Sequence, residues 1–218
     1  MKFYAVCGSN RKEGNTIKLL ESALDGIRDT VGEENDFEIV NLYKLDYTGC
    51  RSCFHCKKLG SKYYGKCPIN DDLKPLLNDI SHCDGLILGS PVYFGDISGQ
   101  MRSFFERLVF PYFTYLENVD SLAPRKFPVA TIYDMNVPQD SPLVEYYETV
   151  FDAFEQYLHG VFSKGERLTV YDTYQFKDYS KYANDVFDAD LKKESLENQF
   201  PKDLKAAYQL GVDMAKSL

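Results

Sequence analysis

The chain has 218 residues, 44% of them apolar and 27% charged, enough for one domain with its own core and no disulfide staples. A formal charge of −8 disfavours a nucleic-acid backbone or an anionic membrane as the main partner. No apolar run approaches the roughly 18 residues of a membrane span, and the opening stretch is too short and strand-like for a signal peptide, so the cytoplasm is the expected compartment.

Residues 2–7 form a short run with β-branched and aromatic members, bounded by Gly8, Ser9 and Asn10, and predict a buried strand. Leu20, Leu24, Ile27 and Val31 then fall at helical spacing, predicting an amphipathic helix over roughly residues 15–30. A second strand is expected over 37–42. Asp71 and Asp72 open the next helical pattern (Leu73, Leu76, Leu77, Ile80), where the helix dipole favours carboxylates. Residues 85–89 read as a fully buried third strand, followed by a loop over 90–95 and a helix from Ser98 to about Val109. The fourth strand is expected at 127–133, the fourth helix from Leu143 to about Leu158, and the fifth strand at 167–173. A last helix carries Pro201 in its first turn, a favoured position. Strand and helix alternate five times. That order predicts a single α/β domain over 1–218, with a parallel sheet covered by helices on both faces, because parallel strands need crossover connections. Two connections, 43–70 and 174–200, are long enough to draw attention as sites.

The first strand and helix are joined by Gly8-Ser9-Asn10-Arg11-Lys12-Glu13-Gly14-Asn15-Thr16. In a doubly wound sheet a phosphate sits at this place, outside the strand's carboxyl end and against free helix N–H groups. Ser9, Asn15 and Thr16 supply short polar groups and Arg11 a positive charge, although a plain polar turn with a capping Asn or Thr uses the same residue types. Three sharper alternatives fail on spacing. There is no G-x-G-x-x-G, no Lys follows Gly14, and only three residues separate Cys7 from Arg11, too few for a thiol-phosphatase loop.

Gly8, Ser9, Arg11, Gly14, Asn15 and Thr16 match the loop G-S-x-R-x-x-G-N-T, and the chain resembles the flavodoxin-like NAD(P)H-dependent FMN reductases through it. A second element, Pro91-Val92-Tyr93-Phe94-Gly95, is similar to that family's P-x-Y-x-G loop after strand three. The resemblance covers roughly residues 1–135. It implies a three-layer flavodoxin-like fold with five parallel strands in the order 2-1-3-4-5. It further implies that Ser9, Arg11, Asn15 and Thr16 hold the FMN phosphate, while Pro91, Val92, Tyr93, Phe94 and Gly95 line the isoalloxazine ring. A third contact loop is implied after strand four, near Tyr133, Asp134, Met135 and Asn136, where this chain lacks the Gly-rich sequence of many relatives.

Within the loop 49–68, Cys50, Cys53, Cys56 and Cys67 make C-x2-C-x2-C-x10-C, with Pro68 after the last. Closely spaced thiolates followed by proline suit an iron–sulfur cluster; four thiolates also suit a closed zinc site, and unligated thiols are the third reading. The layout resembles the iron–sulfur flavoprotein branch of the same family, which implies a [4Fe-4S] cluster, although the gap before Cys67 is longer than that branch's. Cys7 and Cys83 flank strands and read as packing residues, and His55 as solvated.

The expected activity is transfer of electrons from NAD(P)H through bound FMN to a small-molecule acceptor such as a quinone or a flavin, with no side-chain acid or base required. The alternatives are an iron–sulfur flavoprotein carrying electrons between protein partners, and a thiol or metal sensor on the same scaffold. A homodimer or higher homo-oligomer is expected; the aromatic stretch 110–115 is suited either to lid the flavin or to form that interface.

Overall fold

The computed structural model describes all residues, 1–218. Five parallel strands form the sheet: β1 (Lys2–Cys7), β2 (Asp36–Asn41), β3 (Gly85–Tyr93), β5 (Pro128–Asp134) and β6 (Ser163–Val170), in the order β2-β1-β3-β5-β6. This is the flavodoxin-like order 2-1-3-4-5 for the parallel strands. A sixth strand, β4 (Asp96–Ile97), pairs antiparallel with the end of β3.

That hairpin corrects the reading of residues 90–95 as a plain loop. β3 continues to Tyr93, and Phe94 (φ 53°) and Gly95 (φ 81°) make a two-residue turn back into β4. Two positive φ angles in sequence are what a type I′ hairpin turn requires. β6 also differs, running four residues earlier than its apolar stretch suggests, from Ser163 rather than from 167. It is the edge strand, and its first half alternates between exposed Lys164 and Glu166 and their less exposed neighbours.

One helical layer consists of α1 (Asn15–Val31) and α6 (Phe200–Lys216), and buries the Phe3, Ala5, Ile87, Ala130 and Ile132 face of the sheet. Two glycines allow these helices to touch: a Cβ on Gly26 would lie 2.0 Å from the Tyr208 carbonyl, and one on Gly211 would lie 1.9 Å from the Ala23 carbonyl. The other layer, α2 (Leu73–Ile80), α3 (Gly99–Val109) and α4 (Val144–Val161), covers Tyr4, Val6, Leu86, Leu88, Val129 and Tyr133. Cys7 and Cys83 are fully buried packing residues, as expected, and burial pushes their thiols up to about 11 and about 12. Inside the same layer, the Glu155 carboxylate accepts from Thr131 Oγ1 (2.5 Å), Tyr133 OH (3.1 Å) and Arg167 (2.7 and 2.8 Å).

The connection 43–70 holds only two single-turn 3-10 segments, whereas 174–200 is more ordered than expected. It carries a short helix, α5 (Ala189–Glu194), capped by the Asp188 carboxylate. No helix is long and apolar enough to cross a membrane.

Candidate functional site

At the carboxyl ends of β1, β3, β5 and β6 the connecting loops converge on one cleft. α1 starts there, at Asn15. Its N-cap is Gly14, which offers no side-chain acceptor, and no acid lies in the first turn. The leading N–H groups and the positive end of the helix dipole are thus left for an external anion. Ser9, Arg11, Asn15 and Thr16 line the cleft together, as the sequence spacing predicts. Ser9 is buried; its Oγ accepts from Arg11 N (3.3 Å), and its carbonyl accepts from Asn41 Nδ2 (3.0 Å), which ties the loop to the end of β2.

The side-chain donors already have partners. Arg11 Nη1 donates to the Gln175 carbonyl at 2.6 Å, Asn15 Nδ2 to the Tyr174 carbonyl at 3.2 Å, and Thr16 Oγ1 to Asp134 Oδ1 at 2.6 Å. Asp134, at the end of β5, is buried, and that burial pushes its carboxyl up to about 6 against the opposing pull of the Thr16 hydroxyl and the Arg11 charge. Met135 and Asn136 line the cleft beside it, as do Thr173 and Gln175 from the segment after β6. Asn136 donates from Nδ2 to Gln175 Oε1, while its own Oδ1 is buried without a partner. Tyr133 is not part of this loop's contact surface: it is buried and stacks on Phe151 at 4.0 Å. Thr173 and Gln175 lay beyond sequence reasoning because β6 is an edge strand with β5 and β3 between it and β1, and only the segment after it reaches back to the loop after β1.

Pro91, Val92 and Tyr93 line the cleft, whereas Phe94 and Gly95 do not; they form the tip of the hairpin. Phe94 is fully exposed, and Gly95 packs so closely that a Cβ would lie 2.6 Å from the Tyr147 ring. With half-exposed Tyr93 and exposed Tyr146, this tip forms an aromatic rim beside the cleft. The cleft's enclosed part is only about 100 Å³, below the usual 300–1,000 Å³ of small-molecule sites. It has room for a phosphoryl end and leaves a large ring to the rim. The donor set fits a flavin phosphate: an uncapped helix start, an arginine, and short hydroxyl and amide groups; the orphaned Asn136 Oδ1 is an acceptor and suits a hydroxyl donor instead.

At the far end of α3, about 16 Å along its eleven residues at 1.5 Å per residue, the four predicted cysteines line a second, tight pocket with Phe54, Glu106, Arg107 and Phe110. Cys56 is buried, Cys53 exposed, and Cys50 and Cys67 lie between; all four are free thiols. They are not gathered closely enough for any three to hold a single ion. Ser52 (φ 51°) and Phe54 (φ 56°) are left-handed, and such alternation produces concave runs of N–H groups of the kind found at iron–sulfur sites. Cys50 N donates to Glu106 Oε2 (3.0 Å). Lys57 anchors the loop by donating to the Phe110, Pro111 and Phe113 carbonyls at the end of α3, and burial lowers its pKa. Arg107 is fully buried and pairs bidentately with Asp71 (2.7 and 3.0 Å), yet its Nε has no partner. His55 is exposed, as expected. The stretch 110–115 lies under this loop, with Tyr112 buried against Phe162, rather than over the cleft.

Residues 1–126 match the family model of the NADPH-dependent FMN reductases. Among curated proteins, the chain is 39% identical over 107 residues to an iron–sulfur flavoprotein of Methanocaldococcus jannaschii, covering 49% of this chain and 51% of that protein. It is 33% identical over 117 residues to one of Archaeoglobus fulgidus, covering 51% and 47%. The matched region thus spans about half the length of these relatives. Among solved structures, an NAD(P)H:quinone oxidoreductase from Methanothermobacter marburgensis superposes with a TM-score of 0.66 at 12% identity, covering 98% of this chain and 96% of that one. An FMN-dependent NADH-azoreductase from Bacillus anthracis in complex with FMN does so at 0.62 and 12%, covering 97% and 100%. These last two likenesses concern the fold. With the loop after β1, the end of β3 and the strand order in agreement over more than half its length, the chain belongs to the NADPH-dependent FMN reductase family.

Proposed function

We propose that this chain is an FMN-dependent oxidoreductase that takes electrons from NAD(P)H and delivers them to a small-molecule acceptor such as a quinone or a flavin. The observation that carries the reading is the uncapped start of α1, ringed by Ser9, Arg11, Asn15 and Thr16 at the carboxyl end of β1. Bound FMN would supply the redox chemistry, accepting a hydride and releasing electrons. The residues of the chain bind and orient. Arg11 and Asn15 exchange their bonds to the 174–175 backbone for phosphate oxygens, which requires that segment to yield. The orphaned Asn136 Oδ1 accepts from a ribityl hydroxyl. The hairpin at Tyr93 and Phe94 provides the ring's flanking surface, and a second copy of the chain would cover what is left exposed. Asp134 is the one opposing charge in the cleft, held off by Thr16.

The test compares FMN affinity of the wild-type protein with that of Asn15→Ala plus Thr16→Ala. Hydrogen bonds to a charged group contribute about 1.5–3 kcal/mol each, so the double variant is expected to bind at least about tenfold more weakly. Equal affinity in both proteins would remove the assignment of this loop to the phosphate.

The cysteine pocket supports a second reading, in which the protein also holds a [4Fe-4S] cluster on Cys50, Cys53, Cys56 and Cys67 and carries electrons between protein partners. A four-iron cluster spaces its thiolates more widely than one zinc ion does, which suits four thiols that share a pocket but converge on no single point. The left-handed residues, the buried Arg107 and the half-buried Lys57 suit an anionic group there. Iron and sulfide analysis of anaerobically purified protein, with its broad visible absorption, decides between this and free thiols; zinc without sulfide would contradict it.

A further inference from the structure

The largest enclosed space near the cysteine loop is neither of the two sites described. It is a cleft of about 680 Å³ between α2, the segment 61–67 and the turn at 122–124, within the size range of small-molecule sites. Three features make it unlike a packing defect. Its mouth carries Lys62, Lys66 and Lys74, all exposed and none within ion-pair reach of a carboxylate, although Asp79 also lines it. Lys62 and Lys66 belong to a basic island. Between Lys44 and Asn70 there are six lysines and arginines against a single acid, Asp46, in a chain of formal charge −8. Its wall is aromatic, with Tyr63, Tyr64 and buried Tyr112 facing the space. Its inner wall is the buried Arg107, shared with the cysteine pocket, whose Nε–H makes no hydrogen bond of its own although the Cys67 thiol lies beside the guanidinium. A buried unpaired donor is costly, and an acceptor from outside the chain would relieve that cost.

We propose that this cleft binds an aromatic organic anion of two or three fused rings bearing carboxylate or sulfonate groups. The ring lies against the tyrosines and the acidic groups meet the lysines. Cys67 lines the same cleft, so a ligand seated there touches the edge of the cysteine pocket and sits away from the loop after β1. The site goes beyond the flavin reading and depends on neither FMN nor a metal.

The test uses anthraquinone-2,6-disulfonate as the probe, titrated by calorimetry into protein saturated with FMN and, separately, into protein without it. Expected is saturable one-to-one binding in both, weakened at least about tenfold (the factor that 1.4 kcal/mol represents) in Lys62→Gln/Lys66→Gln/Lys74→Gln. Those side chains are exposed, so the fold is expected to survive the change. Amide exchange should slow in residues 61–67 and 74–82 when the probe is present, and neutral anthraquinone derivatives or sulfate alone should bind at least about tenfold more weakly. Binding that FMN abolishes, or that the triple variant leaves unchanged, would overturn the proposal, as would no saturable binding.

Discussion

Replacing Asp134 by Asn should make the ligand-free protein more stable at neutral pH, a result opposite to that of most substitutions of a buried, hydrogen-bonded residue. Burial displaces this carboxyl from an ordinary value of about 3.9 to about 6. The folded state then binds the proton more tightly than the unfolded chain does, so stability falls as pH rises between those two values. At 1.36 kcal/mol per pH unit, the ionised carboxylate costs the folded state about 3 kcal/mol by pH 7.5, and less than about 1 kcal/mol at pH 4. Asparagine removes the ionisation while its carbonyl can still accept from Thr16 Oγ1, now bonded to Asp134 at 2.6 Å. The expected gain is therefore up to about 3 kcal/mol at pH 7.5 and nearly none at pH 4. Urea unfolding of the flavin-free wild type and variant at the two pH values measures it. A variant no more stable than wild type at pH 7.5, or one whose gain is the same at both pH values, would refute the reasoning.

Gly211→Ala should destabilise the fold by about 1–3 kcal/mol or more, because the new methyl group meets the Ala23 carbonyl and must drive α6 off α1; denaturant midpoints measure the loss. Phe94→Asn should stabilise the flavin-free chain by about 0.5–1 kcal/mol, since Asn tolerates the left-handed turn position better than Phe, and a lower melting temperature would contradict the turn assignment. Glu155→Gln should cost about 3–5 kcal/mol by leaving Arg167 without its main charge partner. A thermal midpoint within a degree or two of wild type would show that Glu148 and Asp152 suffice.

Local patterns made β1, α1, β3 and α3 legible, because each carries a compact apolar run or a clear helical spacing between turn residues. β6 starts ahead of its apolar stretch for a physical reason. As an edge strand it needs apolar residues on few positions, so Ser163, Lys164, Gly165 and Glu166 gave no strand signal, although Gly165 packs directly on the Val129 backbone. The hairpin of β3 and β4 was hidden because its turn uses Phe94-Gly95, not the Asn-Gly pair that marks such turns. α5 has a readable start in Asp188, set inside a long polar connection that carries no apolar period. At the site, the residues carried on one loop, Ser9 to Thr16, could be named from spacing. Their closure by Tyr174 and Gln175 could not, since those residues are more than 150 positions away and reach the loop from the edge strand β6, with β5 and β3 lying between. Spacing also put the four cysteines in one pocket while giving no warning that Arg107, about 40 positions on, would be buried beside them.

If the start of α1 grips a terminal phosphoryl group, the comparison of FMN with riboflavin shows it most directly. The two ligands share the ring and the ribityl chain and differ only in the phosphate. Flavin-fluorescence titration of the purified protein should show FMN binding with a dissociation constant at least about a hundredfold below that of riboflavin, as expected for two or more charge-assisted hydrogen bonds. Equal affinity for the two, or no binding of either, would contradict it.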